Sequence, residues 1–81
     1  MKTENAIKML KEAGAEIEII KEWGKIVAHF KNGYTITMFD VNGKVDGFIA
    51  RSPGENNMIE ADYFAGTYFK DLERAIRFVL S

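Results

Sequence analysis

Two runs rich in aromatic and β-branched residues, 25–30 and 34–39, flank the tripeptide Lys31-Asn32-Gly33. Asn-Gly between two such runs is a strong signal for a β-hairpin, because both residues accept the positive φ of a tight turn. A two-residue loop would put Phe30 on the same face as the threonines. A three-residue loop, with Gly33 in the left-handed backbone conformation, places six apolar side chains together on one face: Ile26, Ala28, Phe30, Tyr34, Ile36 and Met38. Because a slip of one residue turns a whole strand over, we predict the three-residue loop and name this side the inner face.

An alternating segment, residues 15–21, precedes the hairpin and is typical of a strand. A four-residue connection would pair Lys21 with Ile26 and Ile19 with Ala28, which keeps Ile19 on the inner face. On the opposite side, the outer face, Glu18 would then lie opposite His29. An acceptor and a donor in cross-strand positions favour this register.

A second turn follows the hairpin at Val41-Asn42-Gly43. A three-residue loop would pair Asp40 with Lys44 and point Phe48 and Ala50 inward. A two-residue loop would instead point Val45, Gly47 and Ile49 inward. We predict the three-residue loop, since it forms a salt pair and buries an aromatic ring.

Apolar periodicity predicts a helix at each end of the chain. Residues 4–13 follow Thr3 as N-cap and end before Gly14, and residues 68–80 follow Thr67 as N-cap. Only the inner face can bury both apolar stripes. The sequence therefore predicts one α+β domain over residues 1–81: a two-layer fold in the order α-β-β-β-β-α, whose four-stranded antiparallel β-meander carries the N- and C-terminal helices on one face.

Composition and charge exclude several classes of protein. With 81 residues, 47% of them hydrophobic and a net charge of −1, the chain has the composition of a small soluble domain. It has no cysteine, so disulfides and thiolate metal sites are excluded. No run approaches the ~20 apolar residues of a membrane span, and no basic stripe matches a phosphate backbone. We expect a cytoplasmic protein without a membrane or nucleic-acid partner.

Few side chains could carry chemistry. His29 is the only histidine, and no serine or cysteine nucleophile is predicted beside it, so we interpret it as an exposed strand residue next to Glu18. Asp40, Asn42 and Asp46 do not have the ligand spacing of a calcium loop. No Gly-rich phosphate loop and no HExxH or GxSxG motif occurs. We expect no enzyme, no metal and no cofactor.

Residues 51–66 are the least regular segment. Ser52-Pro53-Gly54 has turn chemistry, and we expect an ordered loop with a short extended piece near Ala61–Ala65. Three acidic residues of this loop would hold a cation, face a basic partner or, as the favoured interpretation, lie solvated: Glu55, Glu60 and Asp62.

The outer face collects apolar side chains in the predicted registers: Ile20, Val27, Phe39, Val45 and Ile49. A contiguous patch of this kind indicates a contact surface, and aromatic residues nearby would serve as anchors. Alternatively, the loop over residues 51–66 covers the patch. The predicted partner-binding residues are Trp23, Val27, His29, Phe39, Ile49, Glu55, Glu60, Asp62 and Tyr63.

The closing part of the chain, residues 62–76, has the sequence DYFAGTYFKDLERAI. It resembles small uncharacterised proteins of phages, prophages and mobile elements, in which an Asp-Tyr-Phe-Gly segment also leads into a short terminal helix. The similarity covers about a fifth of the chain. It implies a compact protein that binds and blocks a host protein, including host defence systems.

Three functions are therefore expected, in this order. The first is a non-enzymatic protein-binding module or inhibitor. The second is a nucleic-acid binder, because α-β-β-β-α is the element order of a double-stranded RNA-binding domain. The predicted fourth strand departs from that order, and the basic residues that grip RNA are lacking, so this function ranks below the first. The third is a homodimeric accessory protein.

Overall fold

The computed structural model of the chain describes residues 1–56 and 66–81. Its elements, in chain order, are α1 (Thr3–Glu12), β1 (Glu16–Ile20), a 3-10 turn (Lys21–Trp23), β2 (Lys25–His29), β3 (Thr35–Phe39), β4 (Phe48–Arg51), α2 (Pro53–Asn56), β5 (Thr67–Phe69) and α3 (Leu72–Leu80). The strands form one antiparallel sheet in the order β1-β2-β3-β4-β5. The predicted α+β class is confirmed, and the described residues form five strands where four were predicted.

The central hairpin has the predicted register. Ala28 lies opposite Ile36 and Ile26 lies opposite Met38. The three-residue loop closes through the Phe30 N–H, which donates to the Tyr34 carbonyl at 3.0 Å, and Gly33 has a φ of 90°. The segregation of apolar side chains therefore decided this register, as the period-two pattern requires.

The pairing of β1 with β2 differs from the prediction by two residues. Ile19 lies opposite Ile26, and Glu18 lies opposite Val27. The reason is the 3-10 turn, which takes Lys21 out of the strand and ends at Gly24 with a φ of 62°. Because two residues make one full period of a strand, the shift leaves every side chain on its predicted face.

The second turn also differs from the prediction. Asn42 and Gly43 both have positive φ, 53° and 81°, which is a two-residue type I′ turn and not the predicted three-residue loop. Between this turn and β4 the chain is irregular, so Phe48 and Ala50 still face inward. Val45, predicted on the outer face, is buried in the core instead.

The N-terminus explains the burial of Val45. The Val45 N–H donates to the Met1 carbonyl at 2.9 Å, and the Thr3 N–H donates to the Gly43 carbonyl at 2.9 Å. These bonds attach the start of the chain to the second turn, and Val45 joins the core that contains Ala6 and Leu10 of α1. Thr3, predicted as an N-cap, lies inside α1, and its hydroxyl donates to the Asp40 carboxylate.

The last helix begins later than predicted. Thr67–Phe69 is a strand, and Tyr68 lies opposite Ile49 on β4. The N-cap of α3 is Asp71, whose carboxylate accepts a hydrogen bond from the Glu73 N–H at 3.0 Å. Asp is a better N-cap than Thr, and aromatic side chains favour a strand, so the helix over 68–80 was wrong in its first turn.

Both terminal helices bury their apolar side chains on the inner face. The core contains Ala6 and Leu10 of α1, and Leu72, Ala75 and Val79 of α3, packed on Phe30 and on the sheet residues Ile26, Ala28, Ile36, Met38, Phe48 and Ala50. The extended piece expected near Ala61–Ala65 lies outside the described residues. Within the described ranges, no helix combines the length and the apolar character that crossing a membrane requires.

Candidate protein-binding face

The outer face is the side of the sheet away from α1 and α3. Strand alternation brings to it Ile20, Val27, His29, Thr35, Thr37, Phe39, Ile49, Arg51 and Tyr68. Two shallow grooves lie on this side and meet at Thr37. One groove is lined by charged and polar side chains together with apolar ones, and the other is mainly apolar, so the face has a more polar half and a more apolar half.

The apolar half lies over β3, β4 and β5. Phe39 is 45% exposed, Val41 66% and Tyr68 60%, and half-buried Ile49 lies between them. These four side chains, named the apolar cluster from here on, border a groove of about 260 Å³. The four come from three different strands and one turn, so only the folded sheet brings them together.

Tyr68 lies close against Gly47, the residue directly before β4. A Cβ atom at Gly47 would lie 2.5 Å from the Tyr68 ring, so the ring rests directly on the Gly47 backbone. Across the sheet, Tyr68 pairs with Ile49, which in turn pairs with Thr37. The aromatic ring is therefore supported from below and from one side, while its other side faces solvent.

The polar half lies over β1 and β2, around a groove of about 330 Å³. The His29 Nε2 atom lies 2.9 Å from the Glu18 Oε1 atom, and both side chains are about half exposed. The predicted contact between these two residues is confirmed, although it runs diagonally across the strands and not between directly opposite positions. An exposed pair of this kind orients the imidazole but adds little stability.

The middle of the outer face is buried and polar. The Arg51 guanidinium donates to the Thr37 hydroxyl at 3.2 Å, and both residues are buried. Val27 is buried as well. Val27, predicted as a partner-binding residue, thus has little surface to offer a partner.

The other predicted binding residues separate into three groups. Phe39 and Ile49 belong to the apolar cluster. Trp23 ends the 3-10 turn with most of its side chain in solvent. Glu55 lies in α2, while Glu60, Asp62 and Tyr63 lie outside the described residues.

Sequence reasoning missed Val41 and Tyr68. Tyr68 was assigned to a helix, so its pairing with Ile49 in the sheet was not predicted. The signal that could have revealed it is Asp71, a strong N-cap three residues later, which leaves Thr67–Phe69 to alternate as a strand.

A metal centre is not formed by the part of the chain that the structure describes, where no three His, Cys, Asp or Glu side chains come together. No protein-family model, curated protein or solved structure matches this chain.

Proposed function

We propose that this chain is a small non-enzymatic module that binds another protein through its outer face. The observation that carries the proposal is the apolar cluster, in which Phe39, Val41 and Tyr68 are exposed side by side. Single exposed apolar side chains are ordinary on any protein surface. A contiguous group at a groove is the pattern of an interaction site.

Aromatic anchors give this surface its binding energy. Phe and Tyr bury a large area while losing few rotamers, and the support of Tyr68 by Gly47 lowers that loss further. The phenol hydroxyl of Tyr68 can also hydrogen-bond a polar group of the partner. A binding partner would therefore place its own apolar side chains in the groove between Phe39 and Tyr68.

The action proposed for the module is occlusion. A protein that binds without chemistry changes its target by covering a surface that the target needs. The resemblance of residues 62–76 to proteins of phages and mobile elements supports a host protein as the target, a defence protein in particular.

A pull-down from bacterial lysate treated with nuclease tests the proposal. The variant Phe39→Glu/Tyr68→Glu places two charges in the apolar cluster. The control Leu80→Glu changes a side chain of similar exposure at the end of α3. We expect wild type and control to retain the same protein in a stoichiometric amount, and the double variant to lose it.

Other outcomes contradict the proposal. Equal retention by all three proteins would move the binding surface away from the apolar cluster. A partner that is retained from untreated lysate but lost after nuclease treatment would favour the nucleic-acid binder. A solution mass of twice 9.2 kDa with nothing else retained would favour the homodimer.

A further inference from the structure

The first strand, β1, is an open edge of the sheet. Among the described residues it pairs with β2 alone, so the hydrogen-bonding groups on its other side have no strand beside them. Such an edge is a template for one more strand, and proteins use it to bind extended peptides. The edge lies two strands away from the nearest part of the apolar cluster, so it is a separate surface.

The side chains of β1 form two rows of different chemistry. Glu16 and Glu18 lie on the outer face, and Ile17 and Ile19 lie on the inner face. Ile19 is 55% exposed although it lies on the inner face, so it offers apolar surface at the edge of the sheet. A strand added here would meet carboxylates on one side and isoleucines on the other.

A second copy of this chain does not fit the whole edge. Antiparallel self-pairing centred on Glu18 would set two glutamates opposite each other, and pairing centred on Ile17 would set Glu16 opposite Glu18. Like charges in opposite positions destabilise a sheet. Pairing centred on Ile19 uses only residues 18–20, because the chain leaves the strand at Lys21.

We infer that the β1 edge binds an extended segment of a partner protein in which basic and apolar residues alternate. Lysine or arginine would lie across from Glu16 and Glu18, and the apolar residues would cover Ile17 and Ile19. Lys21 and Lys25 stand near the other end of β1, so the basic residues belong beside its first half. Backbone hydrogen bonds supply the attachment, and the two rows of side chains supply the selectivity.

Amide NMR with a blocked heptapeptide of alternating lysine and valine tests the inference on the full chain. We expect saturable shifts at residues 16–20 and slower hydrogen exchange there. A peptide with a central proline keeps the positive charge but cannot continue the hydrogen-bonded ladder, so it should not bind. A peptide of alternating glutamate and valine should not bind either.

Charge reversal gives the matched variants. Glu16→Lys/Glu18→Lys should bind the lysine peptide about tenfold more weakly and gain binding to the glutamate peptide. Glu16→Gln/Glu18→Gln should bind the lysine peptide more weakly and should not gain binding to the glutamate peptide. Unchanged amide shifts in the core would show that both variants fold. Shifts centred on residues 39–41 and 68, equal binding of the proline peptide, no saturable binding, or an unreversed preference would each overturn the inference.

Discussion

At the scale of single residues, the apolar cluster depends on a missing side chain. Gly47 has no Cβ, and the Tyr68 ring occupies the space that a Cβ would fill. The φ of Gly47 lies outside the left-handed region, so the position is defined by contact and not by backbone conformation. A residue without a side chain of its own thus sets the position of an aromatic anchor.

Gly47→Ala should displace the Tyr68 ring and weaken partner capture, with a change in unfolding free energy below about 1 kcal/mol, because an exposed ring can move aside. Urea unfolding and the pull-down measure the two effects. In a Tyr68→Ala background the same substitution should have no further effect on capture. An additional loss in that background would mean that Gly47 acts through something other than the ring.

At the scale of elements, the C-terminal strand and helix depend on which residue caps α3. Asp71 accepts the hydrogen bond from Glu73, whereas Thr67 belongs to β5. The strand Thr67–Phe69 brings Tyr68 to the outer face and Phe69 toward the core. The choice of cap therefore decides whether the apolar cluster includes Tyr68.

Asp71→Ala should lower the unfolding free energy by about 1 kcal/mol, since it leaves a helix N–H without its partner. Thr67→Ala, on an exposed strand position, should change it by less than about 0.5 kcal/mol. Chemical denaturation of both variants measures the difference. Equal losses of unfolding free energy in the two variants, or a larger loss in Thr67→Ala, would indicate that Thr67 is the N-cap.

The hairpin was predictable from sequence, while β5 and the position of Val45 were not. Only one register of the hairpin places Ile26, Ala28 and Ile36 together, so the pattern had a single good solution. Phe69 would be buried either in the apolar stripe of a helix or on the inner face of a strand. Its sequence pattern therefore had two good solutions. The burial of Val45 depends on Met1, a contact that spans 44 residues and leaves no local signal.

At the scale of the whole molecule, the sheet divides two environments. The inner side is a single apolar core under α1 and α3, and the outer side passes from the Glu18–His29 pair to the apolar cluster. A domain of 81 residues has little stability to spare, so its core residues are indispensable in a way that its outer residues are not.

Met38 and Phe39 are neighbours in β3 that point to opposite sides, and they test this division. Met38 is fully buried, so Met38→Ala should lower the unfolding free energy by about 2–5 kcal/mol, a large part of the total. Phe39→Ala should cost about 1 kcal/mol or less, because the ring is half in solvent. Thermal unfolding followed by circular dichroism separates the two, and similar costs would contradict the register of the sheet.

Both hairpin turns also serve as attachment points for the ends of the chain. The second turn bonds to Thr3 at 2.9 Å, and the Asn32 side chain in the first turn donates to the Val79 carbonyl at 2.7 Å. Exposed turns are usually the places where a protein accepts additional residues. Here each turn is hydrogen-bonded to a segment that belongs to, or leads into, a terminal helix. Inserting residues into either turn would therefore change the position of a helix as well as the loop itself.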